Sequence, residues 1–308
     1  MADNSRDIRT DLFDLAPCSA TIGAEISGID LRAPTSPELK DALYQALLDW
    51  KVLFFRDQDI TTEQHMAFAR CFGELEIHPF APKKDGAPEI LPITHGPDNP
   101  GKENTWHSDV TWRKEPSLGS ILRMIDGPGH GGDTLFADMY AAFEGLPKDV
   151  RDKVAGLTAR HDIGRFRERL IAKGKTPEEM KVIEEKYANP HHPVIRTHPD
   201  TRRKAIYVNR AFTQEIDGMD AAESRELLEL LYNQANIPEY QVRFRWQKNS
   251  IAFWDNRSCQ HYAVSDYWPN ERQVERATII GDVPFFDPDG PAVDYANRPF
   301  RGRQTRKE

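Results

Sequence analysis

Apolar residues recur along the chain with two spacings, and the longer one, of three to four residues, predicts helices. Each predicted helix begins at a Ser, Thr or Asp, residue types whose side chains cap a helix N-terminus. The clearest helix carries four leucines between Leu227 and Leu231 in one apolar stripe, as expected of a helix packed on a core. We predict helices over residues 36–50, 61–73 and 220–235, and one that begins at Thr176.

Short runs of β-branched and aromatic residues predict strands, most of them in the second half of the chain. The strands do not alternate regularly with helices, as they would in a doubly wound α/β sheet. The pattern favours a mostly β fold with flanking helices (α+β), built as a sandwich or jelly roll. The predicted strands are residues 52–55, 120–122, 194–196, 205–208, 242–246, 251–254 and 277–280.

The charge and cysteine content indicate which binding partners and which cellular compartment the sequence favours. The net charge of −8 and pI of about 5.7 disfavour nucleic acid or an anionic membrane as the main partner. The three cysteines form no C-x-x-C pair, and we see neither a signal peptide nor an apolar run that could span a membrane. We expect a cytoplasmic protein with a single domain over residues 1–308, with helical insertions and a frayed tail from Arg298.

Two residues just before a β-rich stretch are candidate metal ligands. His107 and Asp109 are two apart, so on an extended chain their side chains point to the same side. With His261 as a distant third ligand they would form the two-histidine, one-carboxylate triad that leaves positions open on iron(II). A second H-x-D pair, His198 and Asp200, encloses a proline and precedes basic residues, so we interpret it as an exposed turn.

Two arginines downstream of His261 are candidate anion ligands. Arg272 and Arg276 are four residues apart, so in a strand both side chains face the same side. A guanidinium group directed into a cavity suits carboxylates or sulfonates, because its planar fork contacts two oxygens at once. The alternative is a pair of surface arginines that form ion pairs with Glu271 and Glu275.

Eight short motifs together resemble one enzyme family over nearly the whole chain, from about Gly23 to about Phe286. The family is that of taurine dioxygenase and 2,4-dichlorophenoxyacetate dioxygenase, which use Fe(II) and 2-oxoglutarate, and the likeness is greatest to its taurine dioxygenase branch. The motifs are FFRDQ (54–58), FGEL (72–75), WHSDVT (106–111), GGDT (131–134), HPV (192–194), WDNR (254–257), HYA (261–263) and RATIIGD (276–282).

The resemblance implies a double-stranded β-helix, or jelly roll, that holds Fe(II) through His107, Asp109 and His261. It implies that Thr134 and Arg272 bind the co-substrate 2-oxoglutarate, that O2 is the second co-substrate, and that the protein is a homodimer or homotetramer. The substrate-binding residues that it implies are His78, Asn104, Phe166 and Arg276.

Departures from the taurine enzymes concentrate in the implied substrate pocket. Ala81 replaces a pocket tyrosine, and the segments around Asn104 and Phe166 differ in sequence. We therefore expect hydroxylation of a small anionic substrate, with an organosulfonate that yields sulfite and an aldehyde as the first candidate. An alkyl sulfate or an aryloxy- or alkyl-carboxylate is the alternative. A non-oxidative zinc or manganese enzyme and a non-catalytic binding protein are the remaining hypotheses.

Overall fold

A computed structural model of the chain describes residues 11–101 and 103–289. Within these ranges the strands are β1 (Asp14–Pro17), β2 (Ala24–Ser27), β3 (Val52–Phe55), β4 (Ile90–His95), β5 (Ser117–Asp126), β6 (Thr134–Asp138), β7 (Thr158–His161), β8 (His191–Pro193), β9 (Ile195–Thr197), β10 (Lys204–Ile206), β11 (Thr213–Ile216), β12 (Gln241–Phe244), β13 (Ile251–Asp255), β14 (Cys259–Ala263) and β15 (Arg272–Ile280). The α-helices are α1 (Pro37–Trp50), α2 (Thr62–Arg70), α3 (Met139–Glu144), α4 (Lys148–Val154), α5 (Arg165–Ala172), α6 (Pro177–Lys186) and α7 (Ala221–Asn233).

The largest sheet has seven strands in the order β1-β2-β3-β13-β5-β15-β4. Its neighbours pair antiparallel except for β2 and β3, which are parallel. Both faces are covered, and successive residues of a strand alternate between two apolar cores. Leu53 and Phe55 of β3 pack in a core with α1 and α2, whereas Val52 and Phe54 pack in the other core.

The second core lies between this sheet and a three-stranded sheet in the order β12-β6-β14. Phe136 of β6 and Phe244 of β12 contact Phe54 of β3, with ring centroids 5.7 and 4.1 Å from that ring. Trp254 of β13 contacts Phe136 from the large sheet. The molecule is therefore sheet-rich with flanking helices, as predicted, and strand β14 lies at the edge of the small sheet.

The helices that the sequence predicted are confirmed, and their caps explain why. The Ser36 side chain accepts a hydrogen bond from the Leu39 backbone N–H at the start of α1. Thr61 and Gln64 form a reciprocal capping box at the start of α2. Among the described residues no helix combines the length and apolar surface needed to cross a bilayer. The tail from Arg298 lies outside the described residues.

One sequence-based interpretation is wrong. His198 does lie at the turn between β9 and β10, but it is fully buried rather than exposed. Its Nε2 lies 3.0 Å from Asp255 Oδ2, and Arg257 also contacts that carboxylate. A buried polar group needs such partners, and these come from a motif about sixty residues away that local composition does not reveal. His198 is not part of the metal cluster described below.

Candidate metal centre and its cavity

Backbone pairing brings the two candidate histidine ligands side by side. The His107 N–H donates to the His261 carbonyl at 3.1 Å, and the His261 N–H donates to the His107 carbonyl at 2.9 Å. This exchange of hydrogen bonds places the two residues directly opposite each other, as in an antiparallel ladder. The imidazole ring centroids are 4.2 Å apart. His261 is held in turn by β14, where it pairs with Phe136 of β6.

Asp109 completes the cluster from the segment that follows His107. Its Oδ1 lies 3.7 Å from His107 Nε2 and 3.9 Å from His261 Nε2. One ligand atom from each of the three residues lies within 4.8 Å of the other two. The next residue, Val110, has a φ of 48°, so the chain turns sharply just after the carboxylate.

The Asp109 backbone is clamped by the carboxamide of Asn256, which is fully buried. The Asp109 N–H donates to Asn256 Oδ1 at 2.6 Å, and Asn256 Nδ2 donates to the Asp109 carbonyl at 3.0 Å. Asn256 Nδ2 also donates to the Ser117 carbonyl at 3.3 Å, which ties the clamp to β5. The Asn256 side chain therefore forms the pair of hydrogen bonds to the Asp109 backbone that a neighbouring strand would otherwise form.

Both carboxylate oxygens of Asp109 are also contacted. Ser120 Oγ donates to Oδ2 at 3.0 Å, and Arg276 Nη1 donates to Oδ1 at 2.9 Å. Burial alone would raise the pKa of Asp109, but Arg276 and the two histidines hold it well below its usual range. Asp109 is therefore available as an anionic ligand at neutral pH.

The histidines direct ring nitrogens to the same point. His107 Nδ1 lies 2.7 Å from the Thr105 carbonyl, which can only accept, so Nδ1 carries a proton and Nε2 is the nitrogen that faces Asp109. Burial, with a further contribution from His107, lowers the pKa of His261 to about 3. Two imidazole nitrogens and one carboxylate oxygen suit a first-row divalent metal and form the facial arrangement typical of non-haem iron(II).

A cavity of about 70 Å³ adjoins the cluster and is lined by the predicted co-substrate residues. Arg272, which is 6% exposed, lines it together with Thr134. Arg272 Nε has no hydrogen-bond partner, and no carboxylate of the described residues forms an ion pair with this guanidinium group. Burial lowers the pKa of Arg272, and Tyr267 and Glu103 oppose that fall only in part. Since a buried unpaired charge is costly, the side chain is suited to a carboxylate ligand.

Thr134 is held in place by a residue that sequence reasoning missed. Trp246 Nε1 donates to Thr134 Oγ1 at 2.9 Å, and the Arg272 guanidinium lies 5.8 Å from the Trp246 ring centroid. The indole therefore contacts both residues that would bind the co-substrate. The strand pattern at residues 242–246 gave no sign of this role, because Trp246 reads there as an ordinary core residue.

The predicted alignment of the two arginines is confirmed. Arg272 and Arg276 both line the cavity, from alternate positions of β15. The alternative, in which both lie on the surface, is wrong: Glu275 forms an ion pair with Lys84 instead. Arg276 also lines a second, smaller cavity together with His78.

A row of neighbouring rings connects the predicted substrate residues to the candidate metal ligands, and we call its members His78, Phe166 and Phe212 the aromatic wall. The ring of His78 lies 5.2 Å from Phe166, which stacks on Phe212 at 6.4 Å. Phe212 in turn lies 6.4 Å from His107. His78 and Phe166 are therefore brought to the metal side of the fold, although they come from distant parts of the sequence.

Asn104 is not brought to the cavity. It is exposed, and its neighbour Glu103 lines the cavity instead. Glu103 Oε2 lies 3.1 Å from His95 Nε2, and Glu103 Oε1 lies 3.6 Å from Arg169. The role of Asn104 in substrate binding stays a prediction. If the segment before His107 had been aligned with the family one residue differently, Glu103 instead of Asn104 would have been the predicted cavity residue.

A two-histidine, one-carboxylate cluster beside a buried unpaired arginine defines the class of metal-dependent oxygenases that take a carboxylate co-substrate. The family model described as "Taurine catabolism dioxygenase TauD, TfdA family" matches residues 12–278. The chain therefore belongs to the TauD/TfdA family, as the sequence motifs predicted.

Individual relatives agree with this assignment. The chain is 35% identical to an alpha-ketoglutarate-dependent sulfate ester dioxygenase of Pseudomonas putida, covering 88% of this chain and 91% of the relative. It is 34% identical to an alkylsulfatase of Acinetobacter baylyi, with 89% and 87% covered. The crystal structure of a taurine dioxygenase from Burkholderia xenovorans is 38% identical, with a TM-score of 0.76 and 91% and 93% covered. The predicted enzyme class, a 2-oxoglutarate-dependent dioxygenase, is confirmed.

We predict that Asn256→Asp lowers metal affinity without unfolding the protein. The substituted carboxylate can still accept from the Asp109 N–H but can no longer donate to the two carbonyls, so the clamp is lost on one side. Residues that orient a metal ligand typically contribute about 10- to 100-fold in affinity. Calorimetric titration with Mn(II) measures the loss, and circular dichroism monitors the fold.

Gln260→Glu is the matched control for this prediction. Gln260 is a buried amide on β14 whose Nε2 donates to the Val208 carbonyl at 2.8 Å, with no contact to Asp109. If both variants weaken Mn(II) binding equally, Asn256 has no particular role in placing Asp109.

Proposed function

We propose that the protein uses Fe(II), 2-oxoglutarate and O2 to hydroxylate a C–H group of a small anionic substrate, an organosulfonate or an alkyl sulfate. The observation that carries the proposal is Arg272, a buried guanidinium that forms no ion pair with a carboxylate of the described residues, in the cavity that also contains His107 and His261. A metalloenzyme that only hydrolyses or isomerises has no use for this carboxylate site.

We also propose that the fold is a double-stranded β-helix, or jelly roll. Support comes from the two sheets that face each other across the core around Phe54 and Phe136. Histidine ligands from β14 and from the segment paired with it would then lie at the opening between the sheets. A ligand that enters this opening passes the aromatic wall before it reaches the metal.

In this proposal the chain's own residues hold, orient and shield the reactants. His107, Asp109 and His261 would hold Fe(II), and Arg272 with Thr134 would bind the distal carboxylate of 2-oxoglutarate. When bound, iron and 2-oxoglutarate together supply the oxidising power of O2, with succinate and CO2 as by-products. Arg276 and His78 would bind the anionic group of the substrate, which places the adjacent C–H on the metal side of the cavity.

The position of the anionic group determines the products. If Arg276 and His78 hold the anion, the carbon nearest to it is the one that is hydroxylated. A carbon that bears both a hydroxyl and a sulfonate collapses to an aldehyde and releases sulfite. The corresponding sulfate ester gives an aldehyde and sulfate. The two relatives named for sulfate ester chemistry favour alkyl sulfates, and an aryloxy- or alkyl-carboxylate is the remaining candidate.

The first test is optical and anaerobic. Protein titrated with Fe(II) and then 2-oxoglutarate should develop the weak visible charge-transfer band of a chelated 2-oxo acid, and His261→Ala should lack it. Admission of O2 with an alkyl sulfate or alkylsulfonate should then give succinate together with sulfate or sulfite. A folded protein that shows neither the band nor succinate would rule out the oxygenase and favour a zinc or manganese enzyme.

A further inference from the structure

Glu76 is a buried carboxylate beside the proposed substrate site, and neither the sequence motifs nor the proposed chemistry gives it a role. It is 5% exposed, and its backbone N–H donates to the Thr278 carbonyl at 2.8 Å, which fixes it against β15. Its side chain lines the smaller cavity together with His78 and Arg276. A carboxylate in this position opposes the binding of an anion, so its presence needs an explanation.

Two guanidinium groups surround this carboxylate. Arg113 Nη2 lies 2.5 Å from Glu76 Oε1, and the Arg113 guanidinium stacks over Trp112 at 5.0 Å from the ring centroid. Burial raises the pKa of Glu76 above its ordinary value, and Arg113 and Arg276 oppose that rise. The close contact with the Arg113 guanidinium group favours the ionised carboxylate. Burial and the same two arginines lower the pKa of His78 to about 3, so His78 is neutral.

The charges around the site can be counted with the co-substrate in place, which rests on the proposed function. Fe(II) and Arg272 contribute three positive charges, which cancel the three negative charges of Asp109 and 2-oxoglutarate. Glu103 forms an ion pair with Arg169, and Glu89 at the smaller cavity forms one with Arg70. Among the residues that the structure describes, the charged groups that remain are Arg276, Arg113 and Glu76, with a net charge of one positive unit.

We propose that Glu76 is a specificity-determining residue that restricts the site to substrates with a single negative charge. A monoanion such as a sulfonate, a sulfate monoester or a carboxylate neutralises the remaining charge. A dianion such as a phosphate monoester leaves one uncompensated negative charge in a buried site beside Glu76, which is costly. Without Glu76 two positive charges would remain, and the same cavity would suit a dianion of the same shape.

The experiment compares two ligands that differ in charge and have nearly the same shape. Anaerobic protein loaded with Fe(II) and 2-oxoglutarate is titrated calorimetrically at pH 8 with n-alkyl sulfates and with the matching n-alkyl phosphates. At this pH the phosphates are dianions, since their second pKa is about 6. We expect the wild-type protein to bind sulfates roughly tenfold more tightly or better, and Glu76→Gln to shift this ratio roughly tenfold towards phosphates.

A double variant separates charge from packing. Glu76→Gln combined with Arg113→Gln restores the original net charge, so it should restore the preference for sulfates. Arg113→Gln alone removes the remaining positive charge and should weaken sulfate binding, which keeps the proposal testable if Glu76→Gln does not fold. Glu275→Gln is the matched control: Glu275 is equally buried and paired with Lys84, but it lines neither cavity, so the ratio should not change.

Two results would overturn this inference. One is a sulfate-to-phosphate ratio in Glu76→Gln within twofold of the wild-type ratio. The other is a wild-type protein that binds Fe(II) and 2-oxoglutarate but none of the sulfates or phosphates. In both cases the charge-transfer band and succinate formation still report on the proposed oxygenase activity, so failure of the specificity role is distinguishable from failure of that activity.

Discussion

Replacing Asp109 with asparagine should lower the affinity for Fe(II) by roughly a hundredfold or more and abolish succinate formation. Residues that only orient a ligand already contribute about 10- to 100-fold, so loss of the ligand itself should exceed that range. Asp109 Oδ1 lies 3.7 Å from His107 Nε2 and 3.9 Å from His261 Nε2, and a neutral amide is a much weaker ligand for iron(II). The substitution also removes the anionic partner of Arg276.

The fold should survive this change, because the contacts that place the segment involve the backbone of residue 109. Asn256 clamps the N–H and carbonyl of Asp109, and neither group is altered. Calorimetry with Mn(II) gives the affinity, and the anaerobic charge-transfer band gives the co-substrate complex. Asp133→Asn is the control: Asp133 is a buried carboxylate next to Thr134, and it accepts from Arg243 Nε at 2.6 Å rather than facing the metal. Wild-type Mn(II) affinity in Asp109→Asn would show that this carboxylate is not a ligand.

Local signals made the long helices predictable. A capping side chain marks the start of α1, α2, α6 and α7 in the sequence itself, and each of these helices was predicted. Helices α4 and α5 follow the N-cap residues Pro147 and Gly164, where no side chain caps the backbone, and neither helix was predicted. A third unpredicted helix, α3, has only six residues, too few for an apolar stripe to show.

Strands of the small sheet were harder to recognise than those of the large one. Strand β14 (CQHYA) contains a glutamine and a histidine, which do not read as a buried strand. Both are buried because they have specific partners: Gln260 donates to Val208, and His261 belongs to the metal cluster. Tertiary contacts therefore override local propensity at the functional residues themselves.

The proposed metal ligands comprise a pair that is close in sequence and a third residue that is distant in sequence. The spacing of His107 and Asp109 is a local signal, and it correctly places both side chains on one side. The approach of His261 depends on a ladder contact between residues more than 150 positions apart. The sequence made His261 a candidate third ligand, but no local spacing could show that it comes close to His107. Asn256, Trp246 and Glu76 carried no recognisable signal, because their roles arise from hydrogen bonds, ring contacts and charges that exist only in the folded chain.

Replacing Arg272 with lysine should raise the KM for 2-oxoglutarate more than tenfold and leave the affinity for Fe(II) nearly unchanged. A guanidinium group can contact both oxygens of a carboxylate, whereas an ammonium group cannot reproduce that paired geometry. The lost contact costs roughly 1.5–3 kcal/mol. Arg272 touches none of the three metal ligands through a hydrogen bond, so Mn(II) titrations should match those of the wild-type protein.

Two comparisons make this prediction specific to the co-substrate. Arg276→Ala should keep 2-oxoglutarate binding but weaken binding of the anionic substrate, because Arg276 contacts the proposed metal ligand Asp109 and also lines the smaller cavity. Arg123→Lys replaces a buried arginine on the adjacent strand β5, outside the lining of both cavities, and should change neither constant. An unchanged KM in Arg272→Lys would rule out Arg272 as the 2-oxoglutarate ligand. A collapse of 2-oxoglutarate binding in Arg276→Ala would mean that the two arginines have exchanged roles. In the case of exchanged roles, 2-oxoglutarate would lie at the smaller cavity beside Glu76. The charge balance from which the selectivity of Glu76 is inferred would then have to be recalculated.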